Sequence, residues 1–122
     1  PLGEQNEGPV VNAKRLTDPR DGSSHHTLTV PGPHSSMVAI ATVQEHEGMH
    51  GSPLFGSLLV DSAYRRSGLA TVIVAKAEEI AAECSNRIFA VTDPENEASC
   101  GLFAKLGYRK MILWEKKVEP RA

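Results

Sequence analysis

The residues best placed to do chemistry lie in the run Arg65-Arg66-Ser67-Gly68-Leu69-Ala70-Thr71. It follows an apolar, strand-like stretch and opens a helix-like one. The first turn of a helix leaves backbone N–H groups without partners, and the helix dipole places about half a positive charge there. A pyrophosphate of nucleotide type answers both needs. Gly68 lets the backbone approach closely and take a positive φ, and Ala70 keeps the following turn open. Ser67 and Thr71 offer hydroxyls, and Arg65 or Arg66 offers charge. The bland alternative is a strand-to-helix turn whose arginines sit in water. The spacing matches neither the G-x-G-x-x-G of a dinucleotide fold nor a G-x-x-x-x-G-K-[ST] loop, so NAD and ATP fit poorly.

A second constellation, His46-Glu47-Gly48-Met49-His50, spells the H-E-x-x-H of zinc peptidases. That chemistry needs a helix, so that both histidines share a face and the Glu reaches the zinc-bound water. Gly48 inside the run and Gly51-Ser52-Pro53 after it oppose a helix, and a solvated hairpin loop is expected. No metal site is expected, and a zinc hydrolase stays a distant alternative. Tyr64 and Tyr108 read as packing residues.

Elements must position the phosphate-type turn. Residues 1–24 carry Gly, Pro, Asn, Asp and Ser without periodicity and read as an irregular N-terminal arm. Strands are expected over 25–30, 37–44 and 54–61, with Gly56 marking a bulge. Residues 68–84 read as a helix, with Leu69, Val72, Ile73, Ala77, Ile80 and Cys84 on one stripe. A short strand over 87–91 and a second helix over 96–106, closed by Gly107, come next. A last strand is expected over 108–118. The order gives a mixed α/β chain with one central sheet.

The 122 residues suffice for one domain with its own core. A formal net charge of −2 gives no electrostatic case for nucleic acid or an anionic membrane. No apolar run approaches the ~18 residues of a membrane helix. The polar, acidic opening residues do not read as a secretory signal. Cys84 and Cys100 read as reduced, buried thiols, and the cytoplasm as the expected compartment.

Taken together, Val60-Asp61-Ser62-Ala63-Tyr64 running into the Arg-Arg-Ser-Gly-Leu-Ala-Thr turn, and residues 96–108 (NEASCGLFAKLGY), resemble the two signatures of the GNAT superfamily of acyl-CoA-dependent N-acetyltransferases. The resemblance covers residues 37–114. It implies a GNAT-like domain over 25–122, with a mostly antiparallel, twisted sheet splayed at the cofactor site and flanked by helices. It also implies acetyl-CoA as co-substrate, attacked directly by a primary amine of a small molecule or peptide. Leu58, Leu59 and Val60 would meet the pantetheine arm, and the turn from Arg65 or Arg66 to Thr71 the pyrophosphate. Asn96 would hydrogen-bond the pantetheine, and Phe103 would pack near the thioester.

The chain departs from the family in places. Phe103 stands where many members carry a tyrosine acid, and Val91 where several carry a glutamate base, so no catalytic residue is assigned. The family's first strand and two helices, which shape the acceptor pocket, find no counterpart, so the chain reads as truncated or atypical at its N-terminus. A non-catalytic acyl-CoA-binding or interaction module is therefore the alternative. An unpaired sheet edge makes a homodimer the expected self-association.

Overall fold

A computed structural model describes residues 10–121. The chain divides into two compact units, Pro1–Val91 and Thr92–Ala122. The first holds five strands in the order β1-β2-β3-β4-β5: β1 (Asn12–Thr17), β2 (Ser24–Pro31), β3 (Met37–Gln44), β4 (Leu54–Val60) and β5 (Phe89–Ala90). The first four are antiparallel neighbours, and β5 joins β4 in parallel. Helix α1 (Leu69–Ala82) connects β4 to β5, as a parallel connection requires. The sequence expectation of a mixed α/β fold with one open, mostly antiparallel sheet is met, with α1 packed against that sheet.

The core lies on one face of this sheet. Leu28, Val30, Ala39, Ala41, Val43 and Phe55 are buried there by the period-2 alternation of their strands. From α1, Leu69, Ile73, Val74, Ala77, Ile80 and Ala81 are buried. The helical stripe sits slightly off the expected one: Val72 is only half-buried, and Cys84, beyond the last helical residue, is exposed. The expectation of two buried thiols is corrected by that exposure and by a half-buried Cys100; both thiols are free.

Residues 12–17 correct the expected irregular arm. Strand β1 carries no apolar alternation and is exposed along its length, so hydrophobic periodicity could not reveal it. Turn chemistry and polar cross-strand contacts build it instead. Asp18 accepts the N–H of Gly22, whose φ of 75° suits a residue without a side chain, and Asp18 donates to Ser23. The Thr17 and Ser24 hydroxyls meet at 2.9 Å. Arg15 donates to Glu45 at 2.7 Å, and His26 lies 2.7 Å from the same carboxylate oxygen. The Arg15 bond, with that of His26, outweighs partial burial and holds the Glu45 carboxyl at about 2. Among the described residues no α-helix precedes α1.

The second unit contains helix α2 (Glu97–Lys105). Asn96 caps it by accepting the Ser99 N–H at 3.1 Å, and Gly107, at φ 90°, follows its end. The strand expected over 108–118 is not formed: among the described residues no ladder includes them.

Candidate functional site

Two features of the first unit converge where β4 ends. The first is an incomplete edge. Strand β5 pairs with β4 only at Leu54 and Phe55, so residues 56–60 have no neighbour on that side among the described residues. Against β3 the register advances from Thr42↔Gly56 to Ile40↔Leu59, which puts one extra residue into β4. This is a β-bulge; Ser57, at φ 56°, sits in it, directly after the glycine that the sequence marked.

Alternation decides which backbone groups the open edge presents. Asp61 donates its N–H to Val38 of β3 at 2.8 Å, so Leu59, two residues back, also turns its N–H and C=O toward β3. Leu58 and Val60 face the open side. Of the three residues expected to meet the pantetheine arm, Leu58 turns both backbone groups to the open side and Val60 its N–H, its carbonyl accepting from Arg65, while Leu59 contributes an apolar side chain that is 69% exposed.

The second feature is the turn. Asp61 accepts the N–H groups of Ala63, through its side chain, and of Tyr64, through its carbonyl. These bonds begin a single 3-10 turn over Ser62–Tyr64. Arg66 (φ 63°) and Gly68 (φ 85°) then adopt left-handed conformations on either side of Ser67. The first backbone bond of α1 runs from Val72 N–H to Gly68 C=O at 3.2 Å. No hydrogen bond within the described residues engages the N–H groups of Arg66, Ser67, Gly68, Leu69, Ala70 or Thr71, and no side chain caps the helix. A Cβ built on Gly68 meets nothing within 4 Å, so its conformation, not crowding, calls for glycine.

The side chains of the turn differ in what they leave free. Arg65 donates its Nε to the Val60 carbonyl at 3.3 Å, which ties it to the end of β4. The Ser67 hydroxyl donates to the Tyr64 carbonyl and keeps only its lone pairs. The Arg66 guanidinium and the Thr71 hydroxyl make no bond within the described residues and face solvent.

Asn96 and Phe103 belong to the second unit. The Asn96 carbonyl is spent on the helix cap, and its Nδ2 makes no bond to the described residues. Phe103 is buried, with its ring edge-on to Tyr108 at 4.9 Å between centroids.

The His46–His50 run is not a helix. A 3-10 turn spans Met49–Gly51, His50 takes φ 58°, and His46 Nδ1 lies 3.1 Å from the Gly51 carbonyl. A Cβ on Gly48 would come within 2.7 Å of the Ser52 carbonyl oxygen, so the loop is folded tightly on itself. Among the described residues no group of three or more His, Cys, Asp or Glu could hold a metal ion.

The Acetyltransferase (GNAT) family model matches residues 25–108. The chain belongs to this family. No curated protein matches the chain significantly. Among solved structures, the GNAT chain is similar to the aminoglycoside 6'-N-acetyltransferase AAC(6')-Ig of Acinetobacter haemolyticus, with 19% identity and a TM-score of 0.59 over 78% of this chain and 72% of that one. A putative acetyl transferase from Pyrococcus furiosus gives 18% identity and a TM-score of 0.68, over 78% and 66%. The aminoglycoside N-acetyltransferase AAC(6')-Iy, solved in complex with CoA, gives 15% and 0.63, over 77% of each chain. Acetyl-CoA is the acyl donor of the family. No helix among the described residues is long and apolar enough to cross a membrane.

Proposed function

We propose that this GNAT domain transfers an acetyl group from acetyl-CoA to a primary amine by direct attack. The observation that carries the reading is the run of unengaged N–H groups from Arg66 to Thr71 at the uncapped start of α1. They face no competing acceptor within the described residues, so an anion there gains hydrogen bonds without breaking any. The Arg66 guanidinium adds charge, and Ala70 and Thr71 keep the first turn small.

Leu58 and Val60 then hold the amide-bearing arm of the donor as an added strand would be held, and Leu59 covers it. Arg65, bonded to the Val60 carbonyl on that same side, stiffens the junction. Asn96 and Phe103 are assigned to the pantetheine and the thioester on the family resemblance. The amine nitrogen forms a bond to the thioester carbon, the carbon–sulfur bond breaks, and the amine's proton leaves for solvent or the departing thiolate. A β4 edge N–H directed at the thioester oxygen would stabilise the charge that develops there. The acceptor is a small-molecule or peptide amine; aminoglycosides, for which two of the structural neighbours are named, are one class to test.

A second reading, an acyl-CoA-binding module without turnover, has its own support. Phe103 has no hydroxyl to donate, Val91 no carboxylate, and no α-helix among the described residues stands before α1 to wall an acceptor pocket. One experiment separates the two. Acetyl-CoA is titrated by thermal shift, and thiol release is followed over a panel of aminoglycosides, peptide N-termini and polyamines. Transfer predicts a stabilising shift and thiol release with at least one amine class. A shift without thiol release across the panel leaves the binding module, and no shift at all removes both.

A further inference from the structure

Asp61 stands where β4 gives way to the turn, and it is bonded on both sides of that junction. Its N–H donates at 2.8 Å to the carbonyl of Val38, a buried residue of β3. Its own carbonyl accepts the Tyr64 N–H at 2.8 Å, and its Oδ1 accepts the Ala63 N–H at 2.9 Å. With ψ at 135°, Asp61 is still extended, whereas Ser62–Tyr64 already form the 3-10 turn. The Oδ1 bond therefore fixes the residue at which the chain leaves the sheet. Later bonds carry that position forward. Arg65 Nε donates to the Val60 carbonyl, and the Ser67 hydroxyl to the carbonyl of Tyr64, whose N–H Asp61 holds. Arg66 and Gly68, the left-handed residues, flank Ser67. The place of the unengaged N–H groups is thus set stepwise from Asp61.

We infer that Asp61 is a positioning residue for the pyrophosphate of the acyl donor, acting through the turn and not through its charge; this rests on the function proposed above. A residue selected here for charge would be basic, because an acid repels a pyrophosphate. What the site needs from position 61 is one acceptor oxygen at short reach. Asn offers the same oxygen without the charge, Glu keeps the charge at a longer reach, and Ala offers neither. The side chain is exposed, so none of these changes disturbs the core.

The test is calorimetric titration of the whole chain with acetyl-CoA, with each variant melted in parallel. Asp21 supplies the control. Its Oδ1 accepts the Ser23 N–H at 2.8 Å, the same kind of bond in the β1–β2 turn, so Asp21→Ala matches the cost of Asp61→Ala to the fold alone. Asp61→Ala should bind roughly fivefold more weakly or worse, the factor a lost capping bond carries. Asp61→Asn should bind at least as tightly as the wild type, and Asp21→Ala equally well. Asp61→Glu should bind more weakly than Asp61→Asn, a ranking that tests the inference even if the alanine variant fails to fold. Inorganic pyrophosphate, competing with acetyl-CoA, should lose the same factor in Asp61→Ala, since it reaches only the turn. Undiminished binding by Asp61→Ala overturns the inference and leaves the proposed site standing. A loss in Asp61→Asn as large as in Asp61→Ala overturns it in favour of charge, and an equal loss in Asp21→Ala in favour of general stability. A wild-type chain that binds no acetyl-CoA removes the proposed function, and this inference with it.

Discussion

The two helices of this GNAT domain begin in opposite ways. Helix α2 closes its own start: Asn96 accepts the Ser99 N–H, and Glu97 brings negative charge to the first turn. Helix α1 has no capping side chain and no acid in its first turn, and its leading N–H groups stay free. Left-handed residues at Arg66 and Gly68 lead into it where a side-chain cap would stand. A capped start is typically worth about 1 kcal/mol, so leaving one open sacrifices stability. On the proposed function, the difference separates a helix end that serves the fold from one kept for a ligand.

The sharpest way to break this comparison is to give α1 an anion of its own. Gly68→Glu places a carboxylate before the free N–H groups, at a φ that disfavours any Cβ. Two like charges ~4 Å apart repel by about 4 kcal/mol at an effective dielectric of ~20, so acetyl-CoA affinity should fall roughly 100-fold or more. Calorimetric titration measures it, and undiminished binding would remove the turn from the site. The converse change is smaller and purely structural. Asn96→Ala removes the α2 cap and should cost about 0.5–2 kcal/mol in a denaturant titration. A loss well below that range would mean that the cap contributes little and that the contrast is one of geometry only.

A third substitution splits backbone from charge within the turn. Arg66 is an exposed, non-glycine residue at φ 63°. Arg66→Gly should relieve about 1 kcal/mol of left-handed strain and raise the melting temperature. If the guanidinium assists the pyrophosphate, acetyl-CoA affinity falls several-fold at the same time, and its dependence on salt weakens. A variant that is more stable and binds equally well would assign the turn's attraction to the backbone alone.

Sequence made the open helix start easier to find than much of the fold around it. Strand, glycine and periodic helix in immediate succession form a local pattern, and Gly56 pointed to the bulge that the structure puts at Ser57. Strands β3 and β4 followed from their β-branched and apolar runs. What stayed hidden depends on partners distant in the chain. Strand β1 has no apolar face and exists through Asp18, Gly22 and the Arg15–Glu45 contact, 30 residues apart in sequence. Which edge groups of β4 are free follows from its register with β3, so Leu59 could not be told from Leu58 beforehand. Residues 108–118 have the composition of a strand but join no ladder among the described residues, and composition does not decide pairing.

The Arg15–Glu45–His26 cluster extends the comparison to the sheet, as a polar group that, like the α2 start, is satisfied by the protein itself. The Glu45 side chain is 14% exposed and that of His26 12%. The Arg15 hydrogen bond first, and that of His26 with it, lower the Glu45 carboxyl from 4.5 to about 2 in the folded chain. The unfolded chain therefore binds the proton more readily than the folded one. The contact's stabilisation is complete above pH 4.5 and is lost as pH falls toward 2. With Arg15 largely solvated, the amount should be about 1 kcal/mol or less, the smallest of these effects. Thermal unfolding followed through that window should show a decline that Glu45→Gln removes, with acetyl-CoA affinity at neutral pH unchanged by the substitution. Affinity that fell together with the cluster would mean that β1 and the helix start are energetically coupled, and the division between self-satisfied and ligand-directed regions would then fail.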